Sequence, residues 1–223
     1  MTTHSPKKIV VLISGSGSNL KTLIDNCQET HSFHVSEPIN ANICAVLTNN
    51  PSAGGLEFAR EANINTHIVK QADFANRALF DEALLEIIQS YSPDLVVLAG
   101  YMRILSEQFV EALSGKLINI HPSLLPKYKG LDTHQRVLEA NETEHGTSVH
   151  FVDTGLDSGP VILQAKVPVF PEDDADILTE RVKYQEHQIY PLVVRWFIDG
   201  RLKLENNVAY LDGLALGPSG YAP

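Results

Sequence analysis

Apolar positions along this chain come in short blocks, and the blocks recur at fairly regular intervals. Residues 8–13, 42–48, 64–69 and 94–99 are β-branched or Leu-rich runs, the length and composition of strands buried on both faces. Between them, residues 19–30, 54–62 and 76–91 read as helices. Strands alternating with helices of that length predict βαβ units, and so an α/β fold built on a mostly parallel twisted sheet with helices on both faces. A fifth strand is predicted at 116–120, then an irregular stretch over 121–130 and a short helix near 133–140. Residues 147–152 and 161–170 are two extended runs joined by 153–160, whose Gly, Asp, Ser and Pro content marks a loop. They predict an antiparallel addition to the sheet. From 173 to 198, Leu178, Val182, Ile189, Val193 and Phe197 keep a helical stripe in which Pro191 predicts one kinked helix or two. Residues 201–223 are expected to form a surface hairpin and a loose tail. No internal repeat or linker interrupts the pattern, so residues 1–223 are expected to be a single domain with its core at about 8–200.

Composition narrows the class. Of 223 residues, 43% are hydrophobic and 20% charged, an ordinary globular balance that supports a core without staples. Cys27 and Cys44 have no C-x-x-C spacing, so they suggest neither a disulfide framework nor a metal site, and a reducing cytoplasm is the expected compartment. The apolar run after Lys7 and Lys8 stops at Ser14, short of a secretory segment, and no run reaches the roughly 18 residues of a membrane span. A net charge of -10 with no Lys/Arg block argues against a nucleic-acid partner. One small anion needs only a local cluster of donors and remains compatible.

Such a cluster is suggested by Ser14-Gly15-Ser16-Gly17-Ser18-Asn19, between the first strand and the first helix. Glycines let backbone approach a ligand there, and exposed N–H groups at a helix start favour an anion such as phosphate. The dinucleotide fingerprint would need glycine where Leu20 stands, and the P-loop's Gly-Lys-Ser/Thr ending is missing, so neither NAD nor ATP is expected. The plainer reading is a tight turn with Ser18 or Asn19 as the helix cap.

Asn119 and His121 stand two residues apart near the carboxyl end of the fifth predicted strand, followed by Pro122. Alternate residues of a strand share a face, and open α/β sheets bind ligands at strand carboxyl ends. An amide beside an imidazole suits a developing oxyanion and a moving proton, as in acyl transfer. Either residue alone is as well explained by bonds to loop backbone. The other histidines read mostly as surface residues, with His4, His31 and His34 in polar terminal or connector sequence and His145 and His150 lacking metal-ligand spacing. Ser123 and Ser148 sit in no G-x-S-x-G elbow, so no serine nucleophile and no covalent intermediate are expected.

Taken together, Ser14 to Asn19, the segment Asn119-Ile120-His121-Pro122-Ser123-Leu124-Leu125-Pro126, and Leu156-Asp157-Ser158-Gly159-Pro160 resemble the folate-dependent glycinamide ribonucleotide formyltransferases of purine synthesis. The similarity runs in order from about residue 8 to residue 221. It implies a Rossmann-like formyltransferase fold and transfer of the formyl group of 10-formyltetrahydrofolate, a co-substrate, to an amine, with no metal. It also implies that Asn119 and His121 stabilise a tetrahedral oxyanion while Asp157 holds His121. Gly17, Ser18 and Asn19 would bind the substrate phosphate, in agreement with the anion reading of that loop. Lys183 and Glu186 would contact glycinamide ribonucleotide. Met102, Arg103, Ile104, Leu105, Asn119, Asp153, Thr154, Gly155, Leu156 and Asp157 would hold the folate, with Arg77 at its tail. Met102, Ile104 and Leu105 also read as plain core residues, and Lys183 with Glu186 as a solvated i,i+3 pair. Three departures stand out: a long connector over 30–40, and Lys129 and Asp132 where proline and histidine are expected.

Two relatives of the same chemistry compete, a formyltetrahydrofolate hydrolase and a methionyl-tRNA formyltransferase. A start close to the first strand, no C-terminal RNA-binding extension and no basic surface demote both. A non-catalytic folate sensor is the alternative outside enzymes. Partners are expected to be small molecules, with no membrane, and the protein a monomer or homodimer.

Overall fold

The computed structural model describes residues 5–28 and 37–221. Most of the 30–40 connector, and His4, His31 and His34, lie outside the described residues. Ten strands and six helices follow in the order β1 Lys7–Ile13, α1 Ser18–Cys27, β2 Ala41–Thr48, α2 Gly55–Glu61, β3 Asn65–Ile68, α3 Arg77–Ser90, β4 Leu95–Leu98, α4 Glu107–Ala112, β5 Leu117–His121, α5 Thr133–Glu139, β6 Glu144–Phe151, β7 Val161–Pro168, α6 Ala175–Ile198, β8 Leu202–Glu205, β9 Val208–Leu211 and β10 Leu214–Ala215.

Seven strands form one sheet in the order β3-β2-β1-β4-β5-β6-β7. The first five are parallel, and β6 and β7 extend the sheet as an antiparallel pair. The mostly parallel sheet with an antiparallel addition is therefore present. In β1, Ile9, Val11 and Ile13 pack with α1, α2 and α6 through Leu20, Leu23, Leu56, Tyr190 and Val193. Val10 and Leu12 point the other way, toward Phe80, Leu84 and Ile88 of α3 and Phe109 and Val110 of α4. Both faces are buried, which is why the strand reads as an unbroken apolar run. Each such large side chain contributes about 1.5–3 kcal/mol by leaving water.

After β1 the chain runs outward to β2 and β3, and after β4 it runs the opposite way to β5. Loops leaving the carboxyl ends of β1 and β4 therefore diverge and leave a crevice between them.

Two details differ from the pattern-based expectation, at α4 and at the C-terminus, and of its two alternatives for residues 173–198 the single helix is the one present. The short helix α4 was not anticipated, because six residues are too few to show a period. Pro191 lies inside α6, which is continuous from Ala175 to Ile198. Buried neighbours Tyr190, Val193, Val194 and Trp196 outweigh the cost of the lost backbone bond, roughly 3 kcal/mol. The C-terminal segment is a three-stranded antiparallel sheet, β8-β9-β10, whose first turn uses Asn206 and Asn207 at φ 50° and 60°. It does not end loosely at Tyr221, whose N–H donates to the Ile162 carbonyl at 2.8 Å and whose ring packs against Trp196 at 5.5 Å. Among the described residues no helix is long and apolar enough to cross a membrane.

Candidate active site

The crevice holds a cleft of about 1030 Å³, lined by the loops after β1 and β4, the end of β5, the loop before α5, the β6–β7 loop and one face of α6.

At its floor is the glycine loop. Gly17, not Ser18 or Asn19, is the cap of α1, at φ 80° and with no side-chain cap bond. A Cβ on Gly17 would lie 2.3 Å from the Gly55 Cα, so only glycine lets the starts of α1 and α2 meet. Without a side-chain cap, the first N–H groups of α1 keep their capacity for an anion. Asn19 also lines the cleft and is buried, with its side chain spent on α6, where its Nδ2–H donates to Glu186 Oε2 at 2.8 Å.

In β5, Ile118 and Ile120 point into the core beneath α6, which turns Asn119 and His121 toward the cleft. His121 is buried, with Nε2 2.9 Å from the Tyr128 carbonyl oxygen and Nδ1 3.4 Å from Asp157 Oδ2. A carbonyl only accepts, so both ring nitrogens face acceptors, the arrangement a doubly protonated ring satisfies. Asp157 comes from the β6–β7 loop with φ 44°, and its Oδ2 also accepts the Gly130 N–H at 3.0 Å. The loop is braced internally, since Asp153 Oδ1 accepts from the Gly155 N–H at 3.1 Å and the Ser158 hydroxyl at 2.7 Å. It closes tightly over β6, because a Cβ on Gly159 would lie 1.9 Å from the Phe151 carbonyl oxygen.

His150, one of the histidines expected to be mostly surface residues, is a cleft residue. It is 2% exposed and sits directly across the β5–β6 ladder from Asn119. Its Nδ1 is 2.8 Å from the Phe151 carbonyl oxygen, so Nδ1 carries the proton and Nε2 presents a lone pair. Asn119 Nδ2 lies 3.2 Å from that lone pair and donates one N–H to it, leaving the other for the cleft. Burial, the largest cause, lowers the His150 pKa and keeps the ring neutral. No spacing rule marks this histidine; only the register between two strands does.

His145, which like His150 lacks metal-ligand spacing, is also buried, with Nε2 3.0 Å from His134 Nδ1. Burial first, then His134 and His121, lowers its pKa to about 4. Ser123 and Ser148 are fully buried and structural: the Ser148 hydroxyl donates to the Ser123 carbonyl at 2.6 Å and accepts the Leu125 N–H at 3.0 Å.

On the opposite wall Met102 and Ile104 are 70% and 61% exposed and line the cleft with Arg103, Asp153, Thr154, Gly155 and Leu156. Apolar side chains left that open beside a cleft are unlike core residues and suit a flat apolar ligand. Leu105 belongs to both descriptions, lining the cleft while buried in the α3–α4 core. Arg77 is not among the lining residues; it starts α3, half exposed, with Nε 3.9 Å from Asp81 Oδ2. Lys183 and Glu186 both line the cleft but are not a solvated pair. Lys183 bonds Glu180, whereas Glu186 is buried against Asn19 and its pKa is raised by that burial. Lys129 and Asp132 lie at the loop before α5, where Asp132 takes φ 56° as the helix cap without a side-chain bond.

Comparison with known proteins adds four findings. Residues 7–194 match the family described as formyl transferase. The chain is 56% identical over 214 residues to the phosphoribosylglycinamide formyltransferase of Escherichia coli (strain K12), covering 96% of this chain and 98% of that one. It is 44% identical over 204 residues to the trifunctional purine biosynthetic protein adenosine-3 of Bos taurus, covering 91% of this chain and 20% of that one. Among solved structures, the phosphoribosylglycinamide formyltransferase of Coxiella burnetii superposes with a TM-score of 0.90 at 48% identity, over 97% of this chain and 99% of that one.

Proposed function

The chain belongs to the formyl transferase family, and from that premise we propose that it carries the formyl group of 10-formyltetrahydrofolate to the amine of glycinamide ribonucleotide in purine biosynthesis. What supports the reading is a cleft in which an amide, an imidazole and a carboxylate converge, with the open start of α1 in the same cleft.

The glycinamide nitrogen attacks the formyl carbon, its lone pair forming the new C–N bond while the carbonyl π pair moves onto oxygen. The free N–H of Asn119 and the Nε2–H of His121 stabilise that oxyanion. For His121 this means exchanging the Tyr128 carbonyl for the substrate oxygen. Asp157 balances the charge of the ring. As the C=O re-forms, the bond to N10 of the folate breaks, N10 takes up a proton and the amine has lost one, so formylated product and tetrahydrofolate leave with no covalent enzyme intermediate.

Gly17, Ser18 and Asn19 cradle the substrate phosphate, and Lys183 and Glu186 contact the rest of the ribonucleotide. Met102 to Leu105, Asn119 and the 153–157 loop hold the folate, with Arg77 at its tail. The whole chain acts as one formyltransferase domain, a monomer or homodimer of the cytoplasm with small molecules as its partners.

The test is tetrahydrofolate release from 10-formyltetrahydrofolate, followed by absorbance with and without glycinamide ribonucleotide. Release that requires the ribonucleotide supports the transferase. Equal release in water alone means a hydrolase, and binding without release means a sensor.

A further inference from the structure

The wall carrying Met102 and Ile104 is a loop between β4 and α4 in which those two side chains stand in solvent while Tyr101 and Leu105 on either side are buried. Such a segment holds one shape only if its backbone is tied down, because each free residue regains conformational entropy. Two of its backbone N–H groups are tied to side chains from other elements. The Met102 N–H donates to Ser14 Oγ at 3.0 Å, and the Ser106 N–H donates to Asp81 Oδ2 at 2.7 Å.

Both acceptors are built for the purpose. Ser14 is buried, and its hydroxyl proton goes to Asn49 Oδ1 at 2.7 Å, which aims a lone pair at Met102. Asp81 is 3% exposed, with Arg77 Nε 3.9 Å away. The preceding residue, Phe80, carries the Arg103 guanidinium over its ring at 5.4 Å, so two consecutive residues of α3 grip the loop. Ser106 is itself the cap of α4, accepting the Phe109 N–H at 3.4 Å. Neither Ser14 nor Asp81 lines the cleft.

We propose that Ser14 and Asp81 are positioning residues that fix the folate-side wall of the cleft by pinning the loop at Met102 and at Ser106. The inference rests on the reading that this wall takes the folate. Both residues act through Met102 and Ile104, so their loss is felt by the folate and not by the ribonucleotide or by Asn119, His121 and Asp157.

Steady-state kinetics of the full chain with each substrate varied tests this for Ser14→Ala, Asp81→Ala and Asp81→Asn. Losing a buried charged acceptor is expected to raise the folate KM about tenfold in Asp81→Ala, with kcat and the ribonucleotide KM within about twofold. Ser14→Ala, which removes a neutral acceptor, is expected to raise it about three- to fivefold. Asp81→Asn keeps an oxygen for the Ser106 N–H, so its folate KM is expected within about threefold of the parent. A folate KM that stays put, a ribonucleotide KM that rises equally, or an Asn variant as impaired as the Ala variant overturns the proposal. Should Asp81→Ala not fold, Ser14→Ala alone decides it. A parent chain that transfers nothing would instead sink the functional reading on which the proposal stands.

Discussion

Replacing Asp157 by Asn isolates the charge opposite His121. The shape survives, because Asn tolerates the φ of 44° that Asp157 adopts and its carboxamide oxygen can still accept the Gly130 N–H. What disappears is a negative charge 3.4 Å from His121 Nδ1. At that distance a unit ion pair with an effective dielectric of about 20 interacts by about 5 kcal/mol. The Asp157 side chain keeps 12% of its exposure, and the ring stays bonded to the Tyr128 carbonyl, so only part of this is lost. A loss of about 2.7 kcal/mol corresponds to a 10²-fold fall in kcat, and we expect at least that. The assay is ribonucleotide-dependent tetrahydrofolate release, with folate affinity measured separately by calorimetry. Folate binding is expected to survive. Unchanged kcat, or a loss confined to folate affinity, would refute the role assigned to the carboxylate.

Much of the architecture was legible because each central strand is buried on both faces, so β1 and β4 announce themselves as apolar runs regardless of partners. Asn119 and His121 were legible for a local reason, the two-residue period of a strand ending at Pro122. The contacts that organise these residues were not. His150 meets Asn119 through the β5–β6 register, and Ser106 meets Asp81 across a helix and a strand. Ser14 meets Met102 only because β1 and β4 are neighbours. Local rules also lost outright at Asn19, which could have capped α1. Its amide instead reaches a glutamate 167 residues away, since a buried carboxylate without a donor costs more than an uncapped helix start at an open cleft. Helix α4 left one local trace that was passed over, Ser106 as a cap three residues before Phe109.

Gly17→Ala forces a side chain onto a left-handed backbone and into the Gly55 Cα. Thermal melts should report a loss of about 2–4 kcal/mol, with a raised ribonucleotide KM, and a stable variant with normal KM would contradict the close-approach argument. Asn19→Ala removes the only hydrogen bond described for the Glu186 carboxylate. An approximately tenfold higher ribonucleotide KM is expected, and an unchanged one would detach this pair from substrate binding. Burial and the neighbouring His134 and His121 hold the His145 pKa at about 4, against 6.5 for an ordinary histidine. A depressed pKa means that the unfolded chain binds the proton first, so the contribution of neutral His145 is complete above about pH 6.5 and is lost as the pH falls toward 4. Glu142, which raises the same pKa, works against the effect without reversing its sign. Urea unfolding at pH 7.5 and pH 4.5 should therefore show a steeper loss for the parent than for His145→Gln, which has no proton to take up. Equal pH dependence in the two would mean that the His134–His145 contact does not hold the ring neutral.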